Sequence, residues 1–319
     1  MTCHDSQLGL NDRARQLCER LIQRAAECRV AITRLDSGCR VIDCGAKIVG
    51  GLEAGRAMAE ICLAGLGRVS LVGDRDGLGP LVQIATDQPV AACMASQYAG
   101  WQIAGEKFFA MGSGPMRAAF GGEKLFDDIG CREQATHAVG VLETNKVPPD
   151  VVCQQLAESC RVAASELTLL VARTASLAGS FQVVARSVET ALHKLHELGF
   201  DLRRVVSGFG SAPLPPVAVD DLKAIGLTND AVLYGGDVTL WVTGEDDSLS
   251  DLGPKIPSSA SDDHGQPFAD IFERYDRDFY KIDPLLFSPA RVTLMNISTG
   301  RSHRFGELRD DILRKSFGV

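Results

Sequence analysis

The segment running LTLLVAR, TASLAGS and FQVVARSVETALHKL, residues 167–195, constrains the fold more than any other. Its opening run is almost wholly apolar, as in a strand covered on both faces. A turn of small and hydroxyl-bearing residues follows, and then the spacing changes. Val184, Val188, Ala191 and Leu195 recur at steps of four, three and four, which predicts one apolar stripe on a helix across residues 179–195. Arg186, Glu189, His193 and His196 form a second row, about 200° around the same helix. A buried strand feeding directly into an amphipathic helix is the building unit of α/β proteins, and strand C-termini in such folds open onto ligand clefts.

The rest of the chain repeats this alternation. Asn11 is placed to cap a helix running to Cys28, VAITRLDSGCRVIDCG reads as a hairpin, and helical spacing returns over residues 52–66. VSLVG and LVQIAT read as strands, AACMASQYAGW as a helix, and residues 105–135 as a glycine-rich loop. HAVGVLET reads as a strand and Pro148 opens a helix through Cys160. In VVSGFGSAPLPP, Pro213, Pro215 and Pro216 argue against regular structure, and a helix is expected near residues 220–225. DVTLWVTG and ARVTLMNIST are late strands, separated by a polar segment too long for a tight turn. The expected fold is α/β, with α+β as the alternative: two mixed lobes, residues 1–145 and 146–319, with a cleft between them.

At 319 residues the chain is long enough for a substantial core. A net charge of −8 argues against a nucleic-acid surface, which is usually basic. No stretch reaches the roughly 20 apolar residues that cross a bilayer, and the polar start lacks a signal-peptide core. A cytoplasmic enzyme or binding protein is the expectation. Ten cysteines occur without a single Cys-x-x-Cys, so reduced thiols are expected rather than a disulfide framework.

Most familiar site patterns are absent. There is no P-loop, no G-x-S-x-G elbow and no H-E-x-x-H, and the glycines at 112–114 and 208–210 lack a third partner. Glu189, His193 and His196 come nearest to a metal set, but no second Glu-x-x-His accompanies them, so no metal site is expected. Arg186 and Glu189 are three apart, so their side chains can meet. On residue types alone the pair is either a solvated ion pair or part of a ligand-facing wall. The small residues of TASLAGS leave room for a ligand beside the helix, which puts the two readings level. Thr174, Ser176 and Gln182 on that approach are candidates for substrate contact.

Long ordered motifs then carry a resemblance. VIDCGAKIVGGLEAG, SQYAGWQI, FFAMGSGPMRA, TASLAGSFQVVARSVETALHKL, GSAPLPPVA, TNDAVLYGG and IPSSASDDHGQPFADIFERYDRDFYKIDPLLFSPA together resemble the methenyltetrahydromethanopterin cyclohydrolase family almost end to end. The resemblance implies one family unit over residues 1–319. It implies reversible hydrolysis of the methenyl bridge of 5,10-methenyltetrahydromethanopterin, or of its bacterial dephospho form, to the N5-formyl carrier. The setting is one-carbon metabolism, in methanogenesis or in methylotrophic formaldehyde oxidation. No tightly bound cofactor and no membrane or nucleic-acid partner are implied; a homotrimer is. Glu189 is implied as the base that activates water, with Arg186 as its partner.

Ser96, Gln97, Tyr98 and Trp101 are placed either to stack on and hydrogen-bond a pterin or to form a half-buried aromatic helix. Ser113, Gly114 and Arg117 suit an acidic group. Asn229, Asp230 and Tyr234 either line the cleft or form a turn; Asp278, Tyr280 and Asp283 are read as structural. Arg173, Phe181 and Leu227 depart from the family pattern, and an altered carrier tail would follow if position 227 touched it.

Overall fold

The computed structural model describes residues 9–74, 76–278 and 281–319, so Tyr280 lies outside the described residues. The chain divides into two compact units, each drawn from separated segments: Met1–Gly67 with Ala91–Gln182, and Arg68–Val90 with Val183–Val319.

The first unit holds helices α1 (Leu10–Gln23), α2 (Ala25–Cys28) and α3 (Leu52–Cys62), and strands β1 (Ala31–Arg34) and β2 (Arg40–Gly45). Strands β5 (Trp101–Gly105), β6 (Phe108–Ser113), β7 (Ala138–Glu143) and β8 (Leu167–Ala172) follow, with α4 (Met116–Phe120), α5 (Leu125–Ile129) and α6 (Asp150–Ser159) among them. The sheet order is β1-β2-β8-β7-β6-β5. Strands β2, β8 and β7 run parallel, and antiparallel strands flank them. Alternate residues serve two cores, as the pleat requires. Leu142, Leu169 and Val171 pack with Val152 and Leu156 of α6 on one face. Val141, Leu170 and Ile42 pack with Met58 and Ile61 of α3 on the other. A division near residue 145 would part β7 from β8, yet Ala138–Glu143 pairs in register with Leu167–Ala172.

The second unit holds β3 (Gly67–Asp74), β4 (Pro80–Thr86), β9 (Val205–Pro213), β10 (Asp237–Val242), β11 (Arg291–Asn296) and β12 (Ser302–Gly306), in the order β12-β11-β10-β9-β4-β3. The β10–β11 pairing is parallel, and β9–β10, β4–β9 and β11–β12 are antiparallel. Helix α7 (Leu177–Val184) carries the chain from the first unit into the second, where α8 (Ser187–Glu197) follows, then α9 (Asp221–Leu233), α10 (Asp246–Leu252), α11 (Phe268–Arg274) and α12 (Asp310–Phe317). The fold is mixed α/β in two sheet-containing units.

Several expectations change. Asn11 lies inside α1 rather than capping it: its amide donates to Pro115 O at 3.0 Å and to Glu133 at 2.8 Å, and its Oδ1 accepts from Val139 N at 2.9 Å. Residues 90–97 form a π-helix and Trp101 opens a strand, so the helix expected through AACMASQYAGW ends early. The glycine-rich segment 105–135 contains β6, α4 and α5. Pro213 closes β9 without preventing it, because the missing N–H falls at the strand's last residue. Cys18, Cys28, Cys39, Cys44, Cys62, Cys93, Cys153 and Cys160 are free and buried, whereas Cys131 is disulfide-bonded.

Candidate active site

The helix expected across residues 179–195 is two helices. Ala185 and Arg186 form a turn between α7 and α8, and Arg186 has φ −95° and ψ 8°, outside helical geometry. Its N–H bonds to Val183 O at 3.1 Å, and its own carbonyl accepts from Thr190 N and Thr190 Oγ1, each at 2.8 Å. Arg186 is therefore the N-cap of α8, and Glu189 falls in the first helical turn. The positive end of the helix dipole favours a carboxylate there.

The apolar stripe packs as the spacing indicates: Val184, Val188, Ala191 and Leu195 are fully buried. The opposite row is not a wet face. Arg186 and Glu189 are each only 6% exposed, while His193 and His196 are half-buried. A surface ion pair is thereby ruled out for Arg186 and Glu189. Ionised side chains so far from water are costly unless paired, and such residues concentrate at functional sites.

Strand β9 sets the position of this turn. A Cβ at Gly208 would stand 2.8 Å from Val188 Cγ1, and one at Gly210 would stand 2.5 Å from Ser187 Oγ. The two glycines of VVSGFGS thus leave bare backbone where the first turn of α8 rests. Farther along α8, the Lys194 ammonium donates to Leu285 O, and burial pushes its pKa down to about 8.

In the first unit, Ser176 caps α7: its hydroxyl accepts from Gly179 N at 3.0 Å and donates to Arg173 O at 2.8 Å. Thr174 is buried, and its carbonyl accepts from Ser180 Oγ. Gln182 is buried and donates to Glu143 Oε1 at 3.1 Å. Ser96 donates to Cys62 O at 2.6 Å, and Gln97 is fully buried beside it in the π-helix. Trp101 stacks on Phe120 at 4.4 Å.

Arg117 is fully buried. Its fork meets Glu123 at 2.9 and 2.5 Å, its third nitrogen donates to Met94 O, and its guanidinium lies 4.7 Å from the Tyr98 ring centroid. Ser113 Oγ bonds to Val141 O, and Gly114 holds φ +91° with its N–H on Ser96 O. The trio expected to greet an acidic group is turned inward, fastening α4 to the π-helix.

Asn229 and Asp230 lie on α9, and Tyr234 caps it, so the turn reading is corrected: TNDAV is helical. Asp230 accepts from Phe268 N at 2.7 Å and Ser316 Oγ at 2.5 Å, and burial pushes its carboxyl up to about 7. Tyr234 donates to Gln266 O, and Asn229 to Ile225 O. Leu227 is buried on the same helix, and Phe181 is buried over Gly55. Asp283 accepts from Ser261 Oγ and Leu285 N, as a structural residue would.

Two carboxylates escaped the sequence reading. Asp43, two residues before the end of β2, accepts from the N–H groups of Gly45, Ala46 and Lys47 at 2.7–3.0 Å. Glu143 ends β7; its only signal is an acidic residue closing the apolar run AVGVL. Among the described residues no group of three or more His, Cys, Asp or Glu is arranged to hold a metal, and no helix is long and apolar enough to cross a membrane.

Comparison with known proteins adds a family. The model of the family described as Cyclohydrolase (MCH) matches residues 9–317. A methenyltetrahydromethanopterin cyclohydrolase of Rhodopirellula baltica is 50% identical over 290 residues, covering 89% of this chain and 87% of its own. The Xanthobacter autotrophicus protein of that name is 48% identical, over 98% and 93% of the two chains. One from Methanospirillum hungatei is 40% identical, over 98% and 99%.

Proposed function

Since the chain belongs to the methenyltetrahydromethanopterin cyclohydrolase family and is a hydrolase of that type, we propose that Glu189 is its water-activating base. The supporting observation is the burial of Glu189 in the first turn of α8, within the family's motif. The substrate is an amidinium, a CH carbon shared by N5 and N10. Water adds to that carbon as Glu189 takes one of its protons, and addition neutralises the cation. The C–N10 bond then breaks, N10 receives the proton from Glu189, and the remaining hydroxyl proton leaves as the N5-formyl carbonyl forms. A carboxylate suits the step twice, as base and as counter-charge to the cation. Arg186, three residues earlier, holds the carboxylate in one orientation.

Tyr98, Trp101, Thr174, Ser176 and Asn229 contact the carrier in this reading, and Gln182 acts through the carboxylate it bonds. Ser96, Gln97, Ser113, Gly114, Arg117, Asp230 and Tyr234 support the elements that bear them, since they are buried and most have polar atoms bonded within their own unit. The carrier is tetrahydromethanopterin or its dephospho form, the enzyme a cytoplasmic homotrimer without a tightly bound cofactor. The test is the near-ultraviolet absorbance of the methenyl carrier. Purified, chelator-treated protein should discharge it at an undiminished rate. No discharge by an untreated, folded protein rejects the activity, and loss on chelation with recovery on zinc rejects metal independence.

A further inference from the structure

Strands β7, β8 and β2 run parallel, and their last residues stand side by side: Glu143 opposite Ala172, and Ala172 opposite Gly45. Open α/β sheets bind ligands at this carboxyl edge. Along it Glu143 is a half-buried carboxylate, following the fully apolar AVGVL. Its register partner on β6 is Met111, also half-buried, so Glu143 has apolar residues, Met111 and Ala172, opposite it on both neighbouring strands. Strand alternation puts Glu143 on the face of Val139 and Val141, where α7 packs through Ala178. Four residues on, the buried amide of Gln182 donates to Glu143 Oε1 at 3.1 Å. A buried donor aimed at one oxygen fixes the plane of the carboxylate.

That arrangement has the chemistry of a heterocycle-edge reader. The aminopyrimidinone ring of a pterin presents two parallel donors, the 2-amino group and N3–H, spaced like the two oxygens of a carboxylate. Such paired, charge-assisted hydrogen bonds are among the strongest available. We propose that Glu143 recognises the aminopyrimidinone edge of the carrier, with Gln182 as its positioning residue. This rests on the reading of the substrate as a pterin carrier. Glu143 is a specificity residue rather than a base, because its contact is the same in the ground and transition states and therefore acts on KM.

The test uses Glu143→Gln in the full chain, with the methenyl carrier and with 6-methyltetrahydropterin as a tail-less probe. A carboxamide offers one acceptor and one donor, so one pterin donor meets another donor. The expected result is a KM raised about 10- to 100-fold with kcat within about threefold and an unchanged melting temperature. The inhibition constant of 6-methyltetrahydropterin should rise by a similar factor. Gln182→Met should raise KM less, and Glu143→Asp should recover part of the loss. Unchanged KM, or a fall in kcat at constant KM, overturns the proposal. If the wild-type protein fails to turn over the carrier, the substrate reading fails. Calorimetric binding of 6-methyltetrahydropterin then decides: weaker binding by Glu143→Gln supports the proposal, and no wild-type binding overturns it.

Discussion

Glu189 and Asp230 are both buried carboxylates, yet their surroundings assign them different work. Glu189 sits at a helix N-terminus, in a position that favours charge; Asp230 is bonded to Phe268 N and Ser316 Oγ, and burial raises its pKa from 3.8 to about 7. Glu189→Gln keeps the size and hydrogen-bonding capacity but cannot take a proton, so kcat should fall at least about 100-fold in the chromophore assay. Glu197→Gln, exposed at the end of the same helix, should stay near wild type. Arg186→Ala should fall between them. Near-wild-type turnover by Glu189→Gln would place the base elsewhere. For Asp230 the consequence is in stability. With a raised pKa the folded state binds the proton more tightly than the unfolded state, so this group's contribution is favourable at low pH. It is lost as pH rises from about 4 to about 7. Asp230→Asn can still accept from Phe268 N and donate to Ser316. Its stability relative to wild type should therefore grow by about 2 kcal/mol between pH 5 and pH 7, measured by urea unfolding at each pH. A gap that does not change with pH would mean the carboxyl is already ionised across that range.

At the level of elements, the first turn of α8 depends on β9 being bare at Gly208 and Gly210. Gly210→Ala would put a methyl 2.5 Å from Ser187 Oγ and 2.9 Å from Val188 Cγ2. The turn must shift, and if Glu189 is the base as proposed, its misplacement by an ångström costs about 100-fold in rate. Overpacking should also cost about 1–3 kcal/mol of stability. A variant with wild-type kcat would show that α8 is held by other contacts. The same region shows what was legible beforehand. The hairpin, the buried strand β8 and the apolar stripe of α8 follow from residue periodicity, which depends only on local geometry. The break at Ala185–Arg186 does not, because both residues suit a helix and the interruption is visible only in the backbone. Nor does the burial of Arg186 and Glu189, since a charged helix face looks the same in sequence whether water or protein covers it. Arg117 is the converse: its residue type fits an anion, but Glu123, Met94 O and Tyr98 already occupy it. Strand β9 was hidden by its prolines and glycines, whose effect depends on whether they fall inside a ladder or at its end.

For the whole molecule, the question is how narrowly the chain is suited to one carrier. The amidinium reacts by the same chemistry in any methenyl-bridged tetrahydropterin, so in the proposed mechanism discrimination comes from placing that carbon against Glu189. The chain devotes long segments to elements that take no part in the proposed proton transfer: the π-helix fastened to α4 through Arg117, and α9 fastened to α11 and α12 through Asp230. Such elements hold shape, and shape selects a substrate by position. Leu227 adds an apolar, buried residue on α9, so no cationic side chain is offered there to an acidic tail. We therefore expect methenyl-tetrahydrofolate to be turned over with a kcat/KM at least about 100-fold below that of the methanopterin carrier, because a reactant displaced by an ångström loses that much. The full and dephospho methanopterin forms should differ far less, since they share the pterin and the bridge. Equal kcat/KM on the folate and methanopterin carriers would mean that the bridge alone is recognised, and that the pterin-facing residues proposed above serve the fold rather than the substrate.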